Sequence, residues 1–135
     1  MSKFAGLAVQ ADKPSRMTVR HPGTGQPLRD KDGNEAWIDL LSADSAAGLR
    51  QQRAIRDRRL AGHARRLKAE DMDREGAELL AALTTGWSLV ALDGAPIDVP
   101  CNAGNAAELY SIPELLWLRE QVDQYVADRG NFLAS

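Results

Sequence analysis

The sequence predicts an α+β protein, mainly helical, and three observations carry that expectation. Asp-Gly steps at Asp32-Gly33 and Asp93-Gly94 lie between stretches rich in Thr, Val, Trp and Ile, a short-range signature of strand reversal. Apolar residues recur at helical spacing over 73–85 and again over 113–128. Residues 44–69 hold no proline and are rich in Ala, Leu, Arg and Gln, all strong helix formers.

Residues 1–16 read as a flexible N-terminal arm ending near Pro14 and Ser15, and 17–135 as a single α+β domain. "MTVRH" (17–21) and "EAWIDLL" (35–41) are the expected strands of a small N-terminal β-hairpin. It should be irregular, because "PGTGQPL" and "DKDGN" between them are dense in turn residues. Ser42 or Asp44 is the expected N-cap of helix 44–69, whose weak point is Gly62. In the next helix, 73–85, Gly76, Leu79, Leu80, Leu83 and Trp87 share a stripe that marks core, and Gly86 is expected to stop the helix.

"WSLVALDGAPIDVP" (87–100) predicts a second short hairpin between helices. Asn102 can cap a short helix through Tyr110. Ser111 and Glu114 have capping-box spacing ahead of the last helix, which tolerates Pro113 in its first turn and runs to the neighbourhood of Asp128. On that helix Leu115, Leu118, Val122, Tyr125 and Val126 form the core-facing stripe, expected to meet Leu79, Leu83 and Trp87.

A chain of 135 residues suffices for one modest core. A 44% hydrophobic and 27% charged composition is that of an ordinary soluble globular protein, and no apolar run approaches the ~20 residues of a membrane helix. The polar "MSKFAGLAVQADKPS" does not read as a secretory signal, so a cytoplasmic protein is expected. The formal net charge of -2 hides a steep division along the chain. Residues 1–48 balance at six basic and six acidic groups, 49–68 carry eight against one, and 69–135 carry three against twelve. Such asymmetry marks either an interaction surface or two blocks that attract each other.

The basic block, "LRQQRAIRDRRLAGHARRLK" (49–68), distributes its charges around the whole helical cylinder. Its apolar line of Leu49, Leu60 and Leu67 is too thin for deep packing. A helix that reads a DNA groove gathers its charge on one side, and no aromatic side chain interleaves these arginines to stack on bases. An intramolecular role is therefore favoured. Positive charge ending one helix and "EDMDREGAE" (70–78) starting the next suit both helix dipoles, and the two blocks attract if the helices fold back. A protein partner ranks second. Nucleic acid, through Arg50, Arg53, Arg58 and Arg65, ranks third.

Nothing in the sequence makes a catalytic site. His21 and His63 lack Asp, Glu or Cys at metal-ligand spacing. Cys101, the one cysteine, excludes an intrachain disulfide, and no histidine lies near it in sequence. Gly23-Thr24-Gly25 is too short for a phosphate loop, and Asp71 and Asp73, two apart on a helix, do not face each other. The expectation is a non-enzyme without metal or cofactor. Leu116 and Trp117 fall off the core stripe of the last helix, and Phe132 follows Gly130 on an expected mobile tail. Trp117 either tucks against the 103–110 helix or joins Leu116 and Phe132 in an apolar partner patch rimmed by Arg119 and Arg129.

The order and spacing of several pieces resemble the tail assembly chaperones of long-tailed bacteriophages. The pieces are Gly86-Trp87 after "EGAELLAALTT", Asp93-Gly94-Ala95-Pro96, Leu109-Tyr110, Trp117 to Val122, and Asp128-Arg129-Gly130-Asn131-Phe132. "VRHPGTGQPL" and "IDLLSADSAAGLRQQRA" are similar to the family's opening hairpin and first helix, so the resemblance spans most of 17–133. It implies a non-catalytic protein of the host cytoplasm, absent from the finished virion. Such a protein binds the tape measure protein and helps tail tube protein polymerise around it. A homo-oligomer is compatible with that role. Two departures are Gly104 inside the short capped helix and the density of arginines over 53–66. The rivals are a small nucleic-acid-binding regulator acting through residues 50–68 and a structural tail component.

Overall fold

Alternation builds the sheet. Met17 and Val19 are buried while Arg16 and Arg20 face solvent, and Ile38 and Leu40 are buried beside the half-buried Trp37 and Asp39. The computed structural model describes residues 3–62 and 68–133. Strands β1 (Ser15–Thr18), β2 (Trp37–Leu40), β3 (Thr84–Val90) and β4 (Pro96–Ile97) form one antiparallel sheet in the order β1-β2-β3-β4. The register sets Met17 opposite Ile38 and Ile38 opposite Trp87. The α+β class and both hairpins are as the sequence predicts.

The helices are α1 (Ala46–Ala61), α2 (Ala69–Leu83), α3 (Ala103–Ser111) and α4 (Leu116–Ala127), with α2 packed on α1 and α3, and 3-10 turns lie at Ala5–Leu7, Pro113–Leu115 and Arg129–Phe132. The expected turn glycines Gly33 and Gly94 take φ of 88° and 93°, the left-handed region that glycine alone enters without strain. Beyond β1 the first hairpin closes on itself. Val19 N donates to Ala36 O, Leu28 N to Val19 O, and Ala36 N to Leu28 O, so three buried residues tie one another in a ring. β1 starts at Ser15, inside the expected arm, and the segment before it is tied to the body. Gln10 N donates to Phe132 O, Ser42 N to Ala11 O, and Ala46 N to Asp12 Oδ1.

Several expected boundaries move, each for a visible reason. The N-cap of α1 is Ser45, whose Oγ accepts from Gly48 N at 3.1 Å; Ser42 Oγ is taken up by Asp44 N in the preceding turn. Helix α2 passes into β3 with no loop, so Gly86 does not stop it. Thr84 leaves the helical conformation while its Oγ1 donates to Leu80 O, and β-branched Thr84 and Thr85 start the strand. Trp87 is therefore a strand residue, half-buried against the core, with Nε1 donating to Val99 O at 2.7 Å.

Asn102 caps α3 as expected, accepting from Asn105 N at 2.8 Å. The Ser111–Glu114 box does not form, because Ser111 is the last residue of α3 and its Oγ donates to Ala107 O. Leu118, Val122 and Val126 of α4 are buried with Leu83, Ile38, Leu40 and Tyr110 in one core; Leu79 is only half-buried. The outer edge of β1 is closed by side chains of α4. Gln121 accepts from Arg20 N and donates to Arg20 O, mimicking a neighbouring strand, and Tyr125 OH donates to Arg16 O.

Candidate functional site

The arginine-rich helix is the first candidate. Only Gly48 and Ile55 of α1 are buried, in keeping with its thin apolar seam. The helices fold back as the charge blocks suggest. Arg58 donates to Glu78 at 2.9 Å, and Arg59 donates through Nε and Nη2 to Glu75 Oε1, at 3.3 and 3.0 Å. Glu75 is 6% exposed, so Arg59 satisfies a carboxylate that would otherwise be buried without a counter-charge. The Glu78 hydrogen bond raises the Arg58 pKa above its ordinary value. Arg50 and Arg53 are exposed and hold no ion pair among the described residues, while Arg56 lies 3.8 Å from an equally exposed Asp57, a weak contact. His63 and Arg65 lie outside the described residues.

The expected patch of Leu116, Trp117 and Phe132 does not assemble. Leu116 is 54% exposed, but Trp117 is half-buried against the core and Phe132 is 2% exposed. Phe132 meets Tyr125 edge to face with ring centroids 5.8 Å apart. The tail is fixed because Asp128 Oδ1 accepts from Gly130 N and Asn131 Nδ2 donates to Tyr125 O, turning the chain back. The expected rim points elsewhere too. Arg119 reaches inward to Tyr110 O and to Asp73, and Arg129 pairs with Asp44, lowering that carboxyl below its ordinary value.

Sequence reasoning missed the β3–β4 hairpin as a surface. Leu92 in its turn, and Ile97 and Val99 on and just past β4, are 53%, 42% and 42% exposed, and β4 is an end strand of the sheet. The signal available was an apolar pair two apart, Ile97 and Val99, directly after an Asp-Gly turn. His21 Nδ1 accepts from Gly23 N within its own turn, and burial, then the Asp39 charge, raises the Cys101 thiol pKa.

No family model, curated protein or solved structure matches the chain. Among the described residues no group of His, Cys, Asp and Glu could hold a metal ion, and no helix is long and apolar enough to cross a membrane.

Proposed function

We propose that this chain is a tail assembly chaperone of a long-tailed phage, a non-enzyme that holds the tape measure protein while tail tube protein polymerises around it. It would act in the host cytoplasm and be absent from the finished virion. The observation that carries the proposal is the exposed apolar rim of Leu92, Ile97 and Val99, displayed by the Asp93-Gly94-Ala95-Pro96 turn. An amphipathic client helix needs such an accessible apolar rim with polar borders, and Asp93 and Asp98 supply the borders.

The resembling motifs support the proposal by falling at joints of the fold. Gly86-Trp87 sits in β3, where Trp87 pins Val99. Leu109-Tyr110 lies in the last turn of α3, and Tyr110 OH meets Thr84 Oγ1 at 2.7 Å. Within Trp117 to Val122, Leu118 and Val122 are core, Arg119 ties α4 to α2 and α3, and Gln121 closes the sheet edge. Trp87 holds the hairpin rim directly, through Val99 O.

Arg50, Arg53 and Arg56 keep a nucleic-acid reading alive, since their side chains face solvent. Two of the arginines nearest them, Arg58 and Arg59, are already engaged by Glu78 and Glu75. Co-expression with a tape measure protein from the same genome tests the proposal. The client should stay soluble and co-purify. A client that precipitates equally with and without this chain, and forms no complex, overturns it.

A further inference from the structure

The outward faces of α1 and α4 carry the same spacing with opposite charge. On α1, Leu49, Arg53, Arg56 and Leu60 follow one another at intervals of four, three and four. At about 100° per residue they share a strip about 60° wide. All four are exposed, while the buried Gly48 and Ile55 lie on the other side. On α4, Leu116, Glu120, Asp123 and Ala127 repeat the four-three-four spacing. These four are exposed as well, opposite the buried Leu118, Val122 and Val126. Within the chain no ion pair or side-chain hydrogen bond among the described residues engages Arg53, Glu120 or Asp123, and Arg56 has only its weak contact with Asp57.

We infer that these two faces bind each other between copies of this chain, α1 of one copy lying along α4 of the next. The occupant is a second copy because the complement is already on the same molecule, in sign and in spacing. The four-three-four spacing reads the same in either direction. In the antiparallel arrangement Leu49 faces Ala127, Arg53 faces Asp123, Arg56 faces Glu120 and Leu60 faces Leu116. Arg-carboxylate pairs at the centre give register, and apolar side chains at the ends cover them. Formed twice and reciprocally, the contact gives a two-fold pair; formed once per pair it is heterologous and closes into a ring or propagates. Three helical turns bury less than the ~800 Å² per partner of a standard interface, so the attraction rests on charge and weakens with salt. It needs no client and stands apart from the chaperone proposal.

Sedimentation velocity of the full chain at low salt tests it. The wild-type chain should self-associate, and about 0.5 M salt should dissociate it, since screening then acts within a few ångströms. Arg53→Glu with Arg56→Glu, or Glu120→Arg with Asp123→Arg, should raise the dissociation constant at least about tenfold. An equimolar mixture of the two reversed variants should associate again, because each reversed face then meets its complement. A wild-type chain that stays monomeric, a reversal that leaves association unchanged, or a folded mixture that fails to recover overturns the proposal. Should a reversed variant unfold, Arg53→Gln with Arg56→Gln and Glu120→Gln with Asp123→Gln replace it. Neutral variants that stay folded and associate as the wild type does are equally decisive against the contact.

Discussion

Replacing Gly76 by alanine should destabilise this protein, although alanine is the better helix residue by about 1 kcal/mol. Gly76 lies inside α2, and a Cβ placed there would sit 2.5 Å from Arg119 Nη2. The Arg119 side chain reaches across from α4 and is only 16% exposed. Its Nη1 donates to Tyr110 O and Asp73 Oδ1, both at 3.0 Å, and its Nη2 donates to Asp73 O at 2.9 Å. A methyl group at position 76 must push Nη2 away and loosen its bond to Asp73 O. A charge-assisted hydrogen bond contributes about 1.5–3 kcal/mol, so after the helical gain the net loss is about 0.5–2 kcal/mol. With Arg119→Ala in place nothing obstructs the methyl group, and Gly76→Ala should then stabilise by up to about 1 kcal/mol. Arg119→Ala alone should cost about 2–4 kcal/mol, since Tyr110 O at the end of α3 loses its charged donor. Its pair with the exposed Asp73 carboxylate adds little. Urea unfolding of the four proteins in the cycle measures these terms and their coupling, expected at about 1.5–3 kcal/mol. If Gly76→Ala stabilises both backgrounds equally, the guanidinium does not occupy that space and the clamp between α2, α3 and α4 is wrong.

Leu83→Ala, at a core position with no exposure, should cost about 2–5 kcal/mol in thermal or urea unfolding, and an unchanged stability would remove Leu83 from the core. Phe132→Ala should cost about 3–5 kcal/mol; a variant as stable as the wild type would mean the C-terminal turn does not dock. Burial raises the Tyr110 phenol from 10.0 to about 12, partly opposed by its hydrogen bond with Thr84. A raised pKa favours the neutral phenol in the folded state, so its contribution to stability is complete below pH 10 and declines as pH rises toward 12. Absorbance titration should accordingly show phenol ionisation still incomplete well above pH 10, and a titration finished near pH 10 would contradict the buried hydroxyl. Duplex DNA should bind no tighter than about 10 μM at physiological salt, and a salt-dependent nanomolar complex would overturn the chaperone proposal in favour of the nucleic-acid rival.

Periodic and capping signals made much of the fold legible. Leu118, Val122 and Val126 follow the helical repeat, Asn102 caps where its neighbours suggest, and Gly33 and Gly94 turn where Asp-Gly steps stand. Failures came where two local signals competed. Trp87 lies four residues beyond Leu83, a helical spacing, yet Thr84 and Thr85 had already switched the backbone to a strand. Ser42, Asp44 and Ser45 are all good caps by type, and only the turn bonding of Ser42 Oγ to Asp44 N decides among them.

The sites were less legible for a related reason. Opposite charge blocks predicted the α1–α2 attraction, but the partners Arg58–Glu78 and Arg59–Glu75 depend on the crossing of two helices. Phe132 looked mobile because Gly130 precedes it. The Asp128 carboxylate accepting from Gly130 N is what folds it inward, and that short local bond leaves no periodic trace. Exposure of Leu92, Ile97 and Val99 depends on β4 standing at the sheet's end, which strand order alone decides.

Hydrogen exchange of this chain, alone and mixed with the tape measure protein, tests the central proposal most directly. Amides of residues 91–99 should gain protection on mixing, because the client would cover the Leu92, Ile97 and Val99 rim. Unchanged exchange throughout the chain would contradict the chaperone proposal, and protection confined to α1 would move the client to the arginine-rich helix.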